Sequence, residues 1–207
     1  MTGPRVALTF DAEHSDRPAN LGLTATLLAT LKRKGVRATF FVQGRWAEAF
    51  PEVARAIAAG GHLVGNHSHY HVRMPLLTDA GLTEDIEEAR RVIMAVTGVD
   101  PRPWFRCPFG AGATDARVQA AVVAAGYRHV GWHVAGDDWE PSRSPEVIAA
   151  DVVAGVLAHG DGAVVLLHTW PTATLAALDS IVTRLTEAGH EFCRVDELPD
   201  APAGVPE

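Results

Sequence analysis

No extended block of lysine and arginine occurs in the chain, and its 18 basic residues are outnumbered by 25 acidic ones, a formal net charge of -7. That argues against the basic face on which nucleic acids are bound. Cysteine is scarce as well. Cys107 and Cys193 are the only two, too few for a disulfide framework and compatible with a reducing compartment. No apolar stretch is long enough to span a bilayer, so no membrane role is expected. The opening residues Met1-Thr2-Gly3-Pro4-Arg5 run directly into a strand. They lack the charged head and apolar stretch of a signal peptide, and the expectation is a soluble, cytoplasmic protein. Internal repeats and low-complexity segments are also missing. What is present is a chain of 207 residues, 47% of them hydrophobic, enough for one core and a single domain over residues 1–207. A proline-rich tail from about residue 199 reads as loose.

Short apolar runs alternate with helical patterns about seven times. Val6-Ala7-Leu8-Thr9-Phe10 is a strand that stops at Asp11. Asn20 can cap a helix ending at Lys34-Gly35. Residues 36–42 (VRATFFV) form a second strand, and Trp46, Phe50, Val53 and Ile57 share one helical stripe. Leu63-Val64 opens a third strand, Thr83 caps the next helix, and Gly98 ends it. Trp104-Phe105 begins a fourth strand, residues 129–134 a fifth, and residues 163–167 a sixth. Between the last two, Ser144-Pro145 starts a helix in the favoured order of cap then proline. A helix over about 173–188 and a strand over about 192–195 finish the domain. This alternation predicts an α/β fold: a parallel sheet with helices outside, as a barrel or a doubly wound sheet. Chemically capable residues sit at the carboxyl ends of five strands. A barrel brings those ends to one face, so the convergence favours the barrel.

The residues at those ends suggest chemistry. In Gly65-Asn66-His67-Ser68-His69-Tyr70-His71, two histidines four apart point the same way on a helical turn or a tight loop, which suits a metal taking nitrogen ligands from one side. Asp11 and Glu13 lean to one side of an extended segment, so one carboxylate can bind metal while the other takes a proton. Arg106 is suited to holding a carboxylate in one orientation. The sharp turn at Pro108-Phe109-Gly110 can expose a backbone N–H as an oxyanion donor. Asp138 beside His168 would orient the imidazole and raise its pKa, making a general acid. Trp132, Trp139 and Trp170 lie near strand ends, where their faces suit sugar stacking or core and rim packing.

The ordered set TFDAE, HSHYH, RCPFG, DDW and LLH resembles the five motifs of the polysaccharide deacetylase family, carbohydrate esterases with a chitooligosaccharide deacetylase homology domain. The resemblance covers nearly the whole chain. It implies a distorted (β/α) barrel of seven or eight parallel strands. It also implies a divalent metal, usually zinc, with cobalt, nickel or manganese as alternatives. His67 and His71 then match the two histidine ligands, Asp11 the catalytic base, and Arg106 the arginine that orients it. The Phe109 N–H matches the oxyanion donor, Asp138 the aspartate that tunes the acid, and His168 the acid. Phe109, Trp139 and Trp170 would contact substrate. Two departures stand out. Ala12 occupies the position of the usual metal-binding aspartate, which makes Glu13 the expected ligand, with His14 or Asp16 next. Cys107 and Phe109 replace the usual proline and tyrosine of the third motif. The implied activity is removal of an N-acetyl group from an amino sugar, such as a chito-oligosaccharide or related soluble glycan. Two alternatives are a small-molecule N-deacylase or deformylase and a catalytically silent carbohydrate-binding protein of the same fold.

Overall fold

The structure is a computed structural model that describes residues 3–16 and 20–204. Eight strands are joined by parallel pairing. They are β1 (Arg5–Ala12), β2 (Thr39–Val42), β3 (Leu63–Asn66), β4 (Trp104–Phe105), β5 (Arg128–His129), β6 (Val134–Ala135), β7 (Ala163–His168) and β8 (Glu191–Cys193). The sheet order is β5-β4-β3-β2-β1-β7-β6, and β8 pairs with the first half of β1. Around it run α1 (Asn20–Lys34), α2 (Gly44–Ala49), α3 (Pro51–Ala59), α4 (Asp79–Thr97), α5 (Ala116–Ala124), α6 (Pro145–His159) and α7 (Thr172–Glu187). The parallel α/β arrangement is the one the sequence predicts. Among the described residues no ladder closes the circle. The two ends of the path, β5 and β6, are linked only by residues 130–133, so the sheet is an open barrel.

Strand alternation sorts the side chains. On β1, Val6, Leu8, Phe10 and Ala12 join the main core between sheet and helices, together with Phe40, Val42, Val64, Val165 and Leu167. Ala7, Phe41 and Val164 belong to a second cluster inside the barrel. The same alternation sends Thr9 and Asp11 inward. Parallel register sets Asp11 beside Phe41 on one neighbour and beside His168 on the other. Both carboxyl-terminal residues of the central strands therefore emerge at one end of the barrel. No helix is long and apolar enough to cross a membrane among the described residues.

Four expectations need correction. The stripe from Trp46 to Ile57 is two helices, because Pro51 starts α3 and disfavours helix at the preceding Phe50, which has φ -128° and ψ 55°. Helix α4 begins earlier than Thr83: Thr78 is its cap, its hydroxyl accepting the Gly81 N–H at 3.1 Å. The run over 129–134 splits into β5 and β6. The tail is also held rather than loose as far as Gly204. The Pro202 carbonyl accepts the Gly131 N–H at 2.6 Å, and the Ala203 carbonyl lies 3.0 Å from His129 Nδ1. A Cβ at Gly131 would lie 1.5 Å from the Gly204 carbonyl oxygen, so only glycine fits there. The cap read at Asn20 concerns a side chain outside the described residues.

Candidate active site

Arg106 follows β4 and is fully buried. Its Nε donates to the Val130 carbonyl at 3.1 Å and its Nη2 to the Gly131 carbonyl at 2.9 Å. Its Nη1 donates to Thr9 Oγ1 at 2.8 Å and to Asp11 Oδ1 at 2.9 Å. The guanidinium carbon lies 4.1 Å from the centre of the Phe41 ring and 5.6 Å from that of Trp132. A buried guanidinium so fully engaged is fixed in place, and it fixes Asp11 in turn. The second Asp11 oxygen lies 3.5 Å from His67 Nε2.

The histidine segment is a tight loop and not a helical turn. Ser68 and His71 both have positive φ, 64° and 58°. The Ser68 hydroxyl accepts the His71 N–H at 3.0 Å, and the Asn66 side-chain carbonyl accepts the Ser68 N–H at 2.8 Å. Buried Asp85 on α4 accepts the N–H groups of His69 and Tyr70 at 3.2 and 2.9 Å. His67 Nδ1 lies 2.9 Å from the Arg106 carbonyl. A carbonyl can only accept, so Nδ1 carries a proton, and Nε2 is the nitrogen turned to the carboxylates, to which it donates when protonated and through which it can bind a metal when not.

His67 Nε2 meets Glu13, which is 5% exposed. Glu13 Oε2 lies 3.3 Å from His67 Nε2 and against His71 Nε2. The other oxygen accepts the Trp170 indole N–H at 3.1 Å and lies 3.1 Å from His14 Nε2. Burial alone would raise the Glu13 pKa, but the imidazoles of His14, His67 and His71 turned to its oxygens hold it well below the usual carboxylate range. Burial lowers the His71 pKa. At His67 burial acts in the same direction, but Asp11 and Glu13 outweigh it and raise the pKa. His71 Nε2 is buried and has no well-formed hydrogen bond, even though it touches Glu13. One donor atom from each of Glu13, His67 and His71 lies within 4.8 Å of the other two. Two imidazoles and an ionised carboxylate on one side of a pocket fit a borderline divalent cation with an open position. His14 packs on the far side of Glu13, against Trp170 and His71. Asp16 is exposed and outside the cluster.

The acid pair comes from the end of β7 and the segment after β6. His168 Nδ1 is 2.7 Å from Asp138 Oδ1, and the His168 backbone N–H donates to Asp138 Oδ2 at 2.8 Å. The Thr174 hydroxyl also donates to Oδ2. Burial pushes the His168 pKa down, but the charges of Asp138, Glu13 and Asp11 and the Asp138 hydrogen bond raise it to about 9. Phe109, at φ 58°, is 56% exposed and lies 4.5 Å ring-to-ring from His71. No hydrogen bond among the described residues uses its N–H. Trp139 is 49% exposed. Trp170, expected at the substrate, instead spends its polar edge on Glu13.

Sequence reasoning missed Thr9, Ser68, Asp85 and Thr174, each a short polar side chain that secures a more conspicuous one. One backbone feature marks the same region. The non-glycine residues with positive φ among those described are His14, Ser68, His71, Phe109 and Asp137. All five lie in the loops that carry the site, where such conformations are tolerated only if the surroundings enforce them.

Residues 1–130 match the family model described as polysaccharide deacetylase. Peptidoglycan-N-acetylglucosamine deacetylase PgdA of Listeria monocytogenes is 34% identical over 197 residues, which is 95% of this chain and 39% of that protein. The chain therefore spans well under half of that relative. Among solved structures, a family 4 carbohydrate esterase from Streptomyces lividans, in complex with acetate, superposes with a TM-score of 0.80 at 33% identity, over 92% of each chain. A CE4 family pseudoenzyme from Bacillus anthracis superposes at 0.85 and 29% identity, over 96% of this chain and 66% of its own.

Proposed function

The chain belongs to the polysaccharide deacetylase family, and on that premise we propose that it is a metal-dependent hydrolase that removes the N-acetyl group from an amino sugar of a glycan. One observation carries the reading. The Glu13–His67–His71 cluster shares its strand ends with a carboxylate held by Arg106 and an imidazole held by Asp138. A silent binder needs no such pair of proton-handling groups beside a donor set.

Glu13, His67 and His71 would hold a divalent cation, zinc first and cobalt, nickel or manganese as alternatives, which would supply Lewis-acid polarisation of the amide carbonyl and acidify a water. Asp11 is the base: Arg106 occupies Oδ1, and Oδ2, on the His67 side, takes the proton of the attacking water. The Phe109 N–H, pointed by the left-handed turn, donates to the oxyanion. His168 has Nδ1 committed to Asp138, so Nε2 delivers the proton to the departing amine. Acetate and the free amino sugar are the products. The half-exposed rings of Phe109 and Trp139 offer faces for a pyranose.

The test is acetate release from N-acetyl chito-oligosaccharides and from peptidoglycan, measured after chelation and again after zinc or cobalt is restored. Metal-dependent release from either glycan is the expected result, and the preferred glycan then names the substrate. A metal-loaded protein that releases nothing would refute the proposal and align the chain with the Bacillus anthracis pseudoenzyme.

A further inference from the structure

A second set of metal-ligating groups lies on the helix side of the histidine loop and shares no residue with the first. A ring nitrogen of His69 and one carboxylate oxygen each from Glu48 and Glu88 lie within 4.8 Å of one another. Glu48 comes from α2 and Glu88 from α4. His69 comes from the loop between them, two residues from His67 and two from His71. Three separate segments thus converge, which an ordinary acidic stretch of helix does not do.

The imidazole is the independent sign of a ligand. His69 is 5% exposed, its Nδ1 is fully buried without a partner, and no hydrogen bond to its ring occurs among the described residues. Its one ring contact is edge-on to Tyr70 at 4.5 Å. A buried polar ring left unpaired is uncommon in folded proteins and calls for a partner. The nearest buried acid cannot serve, because both oxygens of Asp85 are occupied by the N–H groups of His69 and Tyr70. The fold also makes room for the ring. A Cβ at Gly44, one turn before Glu48 on α2, would lie 2.3 Å from His69 Nδ1. Glu88 is otherwise engaged only by Arg91, which reaches both its oxygens, Nε to Oε2 at 2.8 Å and Nη2 to Oε1, one helical turn apart. The pair lies at the helix surface, where solvent screens it and a cation can compete for the carboxylate.

We propose that Glu48, His69 and Glu88 form a second divalent-cation site. One imidazole and two carboxylates suit a borderline ion such as zinc, cobalt or nickel. An ion there ties the loop bearing His67 and His71 to α2 and α4, so its role is to fasten that loop.

The test uses tag-free, chelator-stripped protein titrated with cobalt(II), read by visible absorption, by bound metal per chain and by Tm. Wild type should take two ions per chain, and a Glu48→Gln/Glu88→Gln variant, altered at helix surfaces and expected to fold, should take one. Glu13→Gln should keep the ion that the double variant loses, and cobalt should still raise its Tm. His69→Gln should match the double variant. A wild type that binds one ion, lost in Glu13→Gln, overturns this site, as does a double variant that retains two. A single ion that survives Glu13→Gln but not the double variant would support this site and refute the Glu13 centre instead, so the two readings fail separately.

Discussion

Replacing Asp138 by asparagine tests the acid at its support. The imidazolium of His168 is favoured up to about pH 9, against about 6.5 for an ordinary histidine, a preference of about 3 kcal/mol. Burial pulls the other way, so loss of the Asp138 charge and hydrogen bond, the largest of the raising effects, should lower the His168 pKa even though Glu13 and Asp11 still raise it. Asparagine keeps the shape and can still accept from the His168 backbone N–H and from Thr174, which now hold Oδ2. Its amide group would then face Nδ1 as a donor and favour the neutral ring. At pH 8 the wild-type ring is mostly protonated, and the variant ring should be protonated to a smaller extent. A general acid contributes about 100-fold or more, so kcat for acetate release should fall by about that factor with little change in KM. The alkaline limb of the kcat profile should move downward from about 9. Stability carries the same signature. A raised folded-state pKa stabilises fully below the unfolded value and loses that contribution as pH rises through about 9. Wild type should therefore lose urea resistance between about pH 6.5 and 9 in a way that Asp138→Asn does not. An unchanged alkaline limb in the variant, or a loss confined to KM, would refute the assignment of His168 as the acid.

Asp11→Asn should retain bound metal by elemental analysis while turnover falls by at least about 100-fold; activity within a few-fold of wild type would remove it as base. Glu13→Gln should lose the tightly held ion of the inner cluster and keep its circular dichroism spectrum, and an undiminished affinity there would eliminate Glu13 as ligand. Metal held by His67 should be released in acid, because Asp11 and Glu13 favour the competing proton on that ring; a metal-binding curve flat from pH 7 to 5 would contradict this. Gly131→Ala should force the tail away from β5, losing two hydrogen bonds worth about 1 kcal/mol each, and urea denaturation should show a loss of about 2 kcal/mol or more.

The parts of the site that follow strand periodicity were legible in the sequence. Asp11 and Glu13 lie on one side because β1 is extended, and Asp11 and His168 share an end because parallel strands do. Local punctuation was partly legible: Ser144-Pro145 does open α6, and Gly98 does close α4 with φ 74°. The break at Phe50 was signalled by Pro51 and overridden by a persuasive apolar stripe. The interruption of residues 129–134 was harder to see. It arises because the carbonyls of Val130 and Gly131 turn to Arg106 while the Gly131 N–H turns to Pro202. Contacts between side chains far apart in sequence, such as Trp170 with Glu13 or Thr174 with Asp138, leave no trace in spacing or composition.

The register that sets Asp11 beside His168 reaches beyond topology. Neighbouring strands keep a spacing of about 4.8 Å whatever their side chains. On the proposed mechanism, the spacing of the two strand ends that carry proton acceptor and proton donor is thus set by the backbone lattice. Loops around it can lengthen, shorten or change their aromatics to admit a different sugar without recalibrating the proton relay. Substrate choice and chemical competence are inherited separately in such a frame, and a chain can acquire a new glycan by drift in its rim alone.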